Sequence, residues 1–132
     1  MGCFAEVFGD TRYIDVPDGK RRLFAIRSTR PLHLLDFTDG SCLMAFGLDA
    51  RVCVMKPYRR PQLWSRAFYG WYPRLDGLRY VPRHATGKTN YCLYLERCAR
   101  DLVADDHGPI EDDLDLLERV VDAYPLATPL LL

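Results

Sequence analysis

The sequence predicts an α+β domain, and three observations carry that expectation. The run RPQLWSRAFYGWYP (residues 60–73) repeats apolar residues at helical spacing. Short β-branched or aromatic runs, RLFAIR (22–27), LHLLDF (32–37), RVCVM (51–55), LRYV (78–81) and YCLYLE (91–96), read as strands bounded by turn residues. EDDLDLLERVVDAY (111–124) places acids in its first turn, where they favour the helix dipole, and an apolar stripe behind them. Together they predict a sheet of about five short strands with helices packed on it. At 132 residues the chain fits one domain, 1–132, able to bury a core without disulfides.

From the start, CFAEVFGD predicts a helix with Phe4, Val7 and Phe8 on one face, Glu6 on another side and Gly9 at its end. His33 alternates within its strand and is expected to be a structural histidine. DGSCLMAFGL (39–48) reads as a short helix or loop. In the central helix, Leu63, Trp64, Ala67, Phe68, Trp71 and Tyr72 form a stripe expected to be core; Pro61 suits its first turn and Pro73 stops it. On LRYV, Arg79 and Val81 face one way, Leu78 and Tyr80 the other. A polar connector then leads to the last helix, with Leu114, Leu117, Val120, Val121 and Tyr124 as its buried stripe, and PLATPLLL is expected to close the core as an edge segment.

Net charge is zero but unevenly placed. Residues 1–50 carry 6 basic and 7 acidic side chains, 51–100 carry 11 and 2, and 101–132 carry 1 and 9. The basic middle could attract a phosphate-bearing ligand or nucleic acid, or the two charged blocks could cover each other. Basic residues interleaved with aromatics over 56–84 keep nucleic-acid binding as an alternative, weakened because helically spaced aromatics suit a core. Five cysteines without a C-x-x-C pair fit neither a disulfide framework nor a zinc ribbon and are expected as buried thiols in a reducing compartment. Met1-Gly2-Cys3 resembles a lipidation signal, but Glu6 stands where that pattern wants Ser or Thr. With no run of transmembrane length, a cytoplasmic protein with no membrane partner is expected.

Gly87-Lys88-Thr89 resembles the end of a P-loop, yet Pro82 stands where the motif needs glycine, and a strand follows rather than a helix. Ser28, Ser41 and Ser65 lack a nucleophile-elbow setting, and His33, His84 and His107 lack metal spacing. His107 is expected to face solvent from an Asp-rich loop. The group that remains is Arg79, Tyr80, Arg83 and His84: a ring for stacking beside donors for a pyrophosphate, or an ordinary solvated turn.

The segments FAEVFGDTR, RPLHLLDF, WSRAFYGWYP and LDGLRYVPRH…YCLYLER occur in the order seen in RES-domain proteins, which the chain resembles from Phe4 to about Arg97 and more loosely to the last helix. The resemblance implies a mixed sheet with packed helices, similar to ADP-ribosyltransferase toxins. Many members are bacterial toxins of toxin–antitoxin pairs that degrade NAD⁺ as substrate, with no further cofactor, and pair with an Xre-like antitoxin. It implies cleavage of the nicotinamide–ribose bond, with Glu6 as the catalytic carboxylate stabilising an oxocarbenium-like ribose. Tyr80 matches the aromatic position, with Arg79, Arg83 and His84 as substrate-binding candidates. Pro82 stands at the family's serine and lacks both a hydroxyl and an N–H. The family's arginine and a tyrosine lie before the glutamate's helix, where this chain starts, so the resemblance implies an N-terminally incomplete RES domain lacking its first strands. Beside the enzyme stands a catalytically dead RES domain that only engages an antitoxin-like partner or a second copy of itself.

Overall fold

The computed structural model of the chain describes residues 2–15 and 20–131, with the side chain of Leu130 outside that description. Helix α1 (Gly2–Phe8) opens the chain, followed by β1 (Arg22–Ser28), β2 (Leu34–Asp36) and α2 (Gly40–Ala45). Then come α3 (Arg59–Trp71), β3 (Gly77–Tyr80), β4 (Asn90–Leu93), α4 (Leu95–Cys98), β5 (Leu102–Pro109) and α5 (Leu114–Ala123). The α+β class holds, but among the described residues five strands form two sheets rather than one. β2-β3-β4 is mixed, with β2 parallel and β4 antiparallel to β3, and β1 pairs only with β5 as an antiparallel ribbon.

Two apolar clusters hold these elements. Phe4 and Phe8 of α1 meet Ile14, Ile110, Leu126 and the α5 residues Leu117 and Val120. The Asp113 side chain caps α5 by accepting from the Leu116 N–H at 2.9 Å. The second cluster packs α2 and α3 on the sheet: Phe37, Leu43, Val52, Phe68, Leu75 and Leu78 are buried there. Phe68 sits at its centre, with Phe46 and Phe37 edge-on at ring-centroid distances of 4.9 and 5.4 Å. Burial of this one ring contributes about 2–3 kcal/mol.

Asp76, just before β3, joins the ribbon to the sheet. Its carboxylate accepts from both terminal nitrogens of Arg30 at 2.7 and 2.8 Å and from the His33 N–H at 2.8 Å. Arg30 Nε also donates to Asp101 at 2.8 Å, where β5 begins. The ion pairs link the basic middle to acids of the first third (Arg79–Asp36, Arg83–Asp10, Lys56–Asp10) and the acidic tail to arginines of the first third (Arg22–Asp106, Arg30–Asp101). Each charged block thus finds ion-pair partners among residues 10–36.

Several sequence expectations are corrected. Residues 50–53 form a 3-10 turn and not a strand, because Asp49 caps the segment through the Arg51 N–H and turns it tightly. The polar connector contains β5, an eight-residue strand whose central residues 104–107 are exposed. Val7 and Leu114 are exposed, and Ala5 takes the inner position on α1. On α3, Leu63 (54% exposed) and Trp71 (59%) leave the core, as does Tyr72 just past its end, and Phe68 alone is fully buried. His33 precedes β2 and is exposed, serving through its backbone. Of the free thiols, Cys98 is buried but Cys3 and Cys92 are exposed. Leu126 and Thr128 do close the first cluster's edge, where Tyr13 bridges to Ala127; Leu132 lies outside the described residues. No helix among the described residues is long and apolar enough to cross a membrane.

Candidate functional site

The sheet's register decides which side chains can meet. Leu78 opposes Cys92 and Tyr80 opposes Asn90, so these side chains share one face, while Arg79 lies on the other beside Asp36 of β2. That places an Arg79–Asp36 ion pair of 2.9 Å behind the sheet and turns Leu78 and Tyr80 toward α3. Between α3 and this face lies a cleft of about 820 Å³. Its walls are aromatic: Tyr58, Trp64, Tyr69, Tyr80 and Tyr94 line it, with Glu6 reaching in from α1.

Glu6 is held by the turn after β3. The Arg83 N–H donates to Glu6 Oε1 at 3.2 Å, fixing one carboxylate oxygen beside the cleft. Burial raises the Tyr80 phenol above its usual range and the nearby Glu6 carboxylate adds to this, partly offset by a hydrogen bond with Asn90. Tyr80 therefore stays protonated at neutral pH. Tyr94 behaves alike: burial raises it, while its hydroxyl donates to the Ser65 carbonyl at 2.8 Å and lies 3.2 Å from Ser65 Oγ. Burial pushes the Cys53 thiol up to about 11, so this cleft cysteine is protonated and inert as a nucleophile at neutral pH.

Two glycines let α1 approach its neighbours. A Cβ at Gly9 would meet the His84 ring at 2.6 Å, and one at Gly2 would collide with the Asn90 side chain. The helix carrying Glu6 thus lies against the start of β4 at one end and the 83–84 turn at the other.

Glu6, Tyr80 and the backbone of Arg83 come together at the cleft. Arg79 does not, and the side chains of Arg83 and His84 turn toward Asp10 just past α1, at 3.5 and 3.0 Å. Pro82, at the position matched to a serine, is buried. The hydroxyls in the lining come from Ser65, Tyr58, Tyr69, Tyr80 and Tyr94. Trp64 was within reach of sequence reasoning as part of the stripe assigned to the core, and Ser65 as a serine without a nucleophile-elbow setting; Asp10 carried no such signal. Among the described residues no group of three or more His, Cys, Asp or Glu side chains is arranged to hold a metal. Against known proteins, the chain matches no family model, no curated protein and no solved structure.

Proposed function

We propose that the chain is a RES-like domain that cleaves the nicotinamide–ribose bond of NAD⁺. The observation that carries this reading is the placement of Glu6 and Tyr80 in the lining of one aromatic cleft, at the upper end of the size range for small-molecule sites. In this reading the nicotinamide and ribose lie against Tyr80 and Trp64, and Ser65 supplies the hydroxyl that position 82 lacks. The C1′–N bond breaks with its electron pair going to the nicotinamide ring. Glu6, oriented by the Arg83 N–H, stabilises the positive charge left on the ribose. Water adding to C1′ and losing a proton gives ADP-ribose, nicotinamide and H⁺.

The test is release of nicotinamide from NAD⁺ by the purified protein, followed by chromatography. Glu6→Gln keeps the shape and the acceptor oxygen but removes the charge, and is expected to lower the rate by about 10²–10³-fold with an unchanged melting temperature. Equal rates in the two proteins refute the role of Glu6; no release from the unmodified protein refutes the activity.

A second reading, a catalytically silent domain that engages only an antitoxin-like protein, is favoured by one feature. Arg79 and Arg83, the expected phosphate donors, face Asp36 and Asp10 instead. Absence of nicotinamide release together with stable co-purification of the neighbouring gene's product would establish it.

A further inference from the structure

The most unusual polar cluster in the molecule surrounds Asp10, which lies two residues past α1 and is about half exposed. Four groups from two other segments converge on its carboxylate. Lys56 Nζ stands 3.3 Å from Oδ1 and 3.4 Å from Oδ2. The Tyr58 hydroxyl donates to Oδ2 at 3.3 Å, and His84 Nε2 lies 3.0 Å from Oδ1. Arg83 Nη1 is 3.5 Å from Oδ1, shielded from solvent and without a hydrogen bond.

Two properties separate this cluster from an ordinary surface ion pair. Lys56 and Arg83 bring two permanent positive charges to one negative charge, with the His84 ring beside them. The distances are also long: charge-assisted bonds between nitrogen and carboxylate oxygen run to about 2.7–2.9 Å. The guanidinium Nη1 of Arg83 remains an unused donor at the same spot. The Asp10 carboxylate pairs with three of these four groups and leaves Arg83 Nη1 without a hydrogen bond; a tetrahedral phosphate group, with more oxygens and more charge, can take all four.

The cluster borders the cleft at Tyr58, which lines the cleft while its hydroxyl reaches Asp10. Arg83 joins them a second time, since its N–H holds Glu6 while its side chain faces Asp10.

We propose that Lys56, Tyr58, Arg83 and His84 form a receptor for a phosphate group of a ligand lodged in the cleft, and that Asp10 fills this receptor as an internal anion until the ligand displaces it. This deepens the proposed function by assigning the phosphates of the dinucleotide to a set of residues, and takes only the identity of the ligand from that reading. Asp10 then acts against binding: its removal strengthens affinity for a phosphate-bearing ligand, the reverse of what losing a contact residue does.

Isothermal titration with ADP-ribose, inorganic pyrophosphate and nicotinamide riboside tests this on the full chain, using the unmodified protein, Asp10→Asn and Lys56→Gln. Asp10→Asn is expected to tighten ADP-ribose and pyrophosphate by about three- to tenfold, the range left after solvent screening of a half-exposed site. Lys56→Gln is expected to weaken both by a similar factor, and nicotinamide riboside, which has no pyrophosphate, should respond to neither change. A gain for ADP-ribose without one for pyrophosphate still supports the receptor, with the cleft supplying the missing affinity. Unchanged or weaker ADP-ribose binding by a folded Asp10→Asn protein overturns the proposal, as does failure of all three proteins to bind ADP-ribose and pyrophosphate. Melting curves of both variants guard against a folding defect, and a defect in Asp10→Asn leaves Lys56→Gln to decide. If Asp10→Asn tightens pyrophosphate while NAD⁺ is not cleaved, the receptor stands and the proposed activity falls; Glu6-dependent cleavage without an Asp10 effect gives the converse.

Discussion

Asp76 and Asp10 are both carboxylates faced by an arginine and by further N–H donors, and they differ in nearly everything else. Asp76 is 3% exposed and takes a two-pronged guanidinium plus a backbone N–H, all at 2.7–2.8 Å. Its pKa falls to about 2, chiefly through the hydrogen bonds from Arg30, against an opposing effect of burial. Asp10 is open to water and meets its partners at 3.0–3.5 Å; its carboxyl is also lowered, first by Lys56 and then, past the cost of burial, by His84. The same chemistry in a closed setting fastens two sheets together, and in an open one leaves the Arg83 Nη1 donor without a hydrogen bond. Geometry and desolvation, rather than the count of nearby charges, separate a structural ion pair from a ligand site.

The largest expected effect comes from breaking the closed member. Asp76→Ala strands Arg30 and the His33 N–H, and is expected to destabilise the fold by about 3 kcal/mol in chemical denaturation, at the low end for a buried pair because Arg30 keeps Asp101 and some water. A loss no larger than that of Asp10→Ala would erase the distinction.

Acid should expose the same asymmetry. Because the folded-state pKa of Asp76 lies below its ordinary value of 3.8, its stabilisation is complete above that value and disappears as pH falls toward about 2. Melting curves followed from about pH 5 down to about pH 2 should steepen their decline below about pH 4, and Asp76→Ala should remove part of that slope. Arg30→Lys, which keeps the charge but loses the planar fork, is expected to lower the melting temperature by about 3–8 °C. The smallest effect belongs to the open member: Asp10→Ala should move the melting temperature by less than about 2 °C. A larger fall would mean that Asp10 holds the fold together as well.

What the sequence made legible follows the same physics. α3 and α5 announced themselves through residues with one inner face, Phe68 on the first and Leu117 and Val120 on the second. The alternation of Arg79 against Leu78 and Tyr80 was also readable, since β3 has one face on the core and one outside it. β5 was hidden because Ala104 to His107 are exposed on both sides of a two-stranded ribbon, so no alternation survives. RVCVM alternates as a strand would, but only Val52 is buried and the Asp49 cap overrides the pattern. Leu63 and Trp71 match the helical stripe yet stand exposed, because on this face of α3 only Phe68 is fully enclosed by the sheet and α2. At the site, Glu6 came from a resemblance, while Tyr80 was also legible as a ring at a strand end beside cationic turn residues. Asp10 could not be found at all, for its partners lie 46 to 74 positions away and carry no shared motif.

The two glycines of α1 have a mechanical corollary. With Gly9 tight against His84 and Gly2 against Asn90, the helix cannot slide along its axis without pushing either the turn or the strand. Glu6 and the 83–84 turn, already joined by the Arg83 N–H, are therefore held together along that axis. A side chain as small as a methyl at position 9 would dislodge His84 and with it the contact between its ring and Asp10.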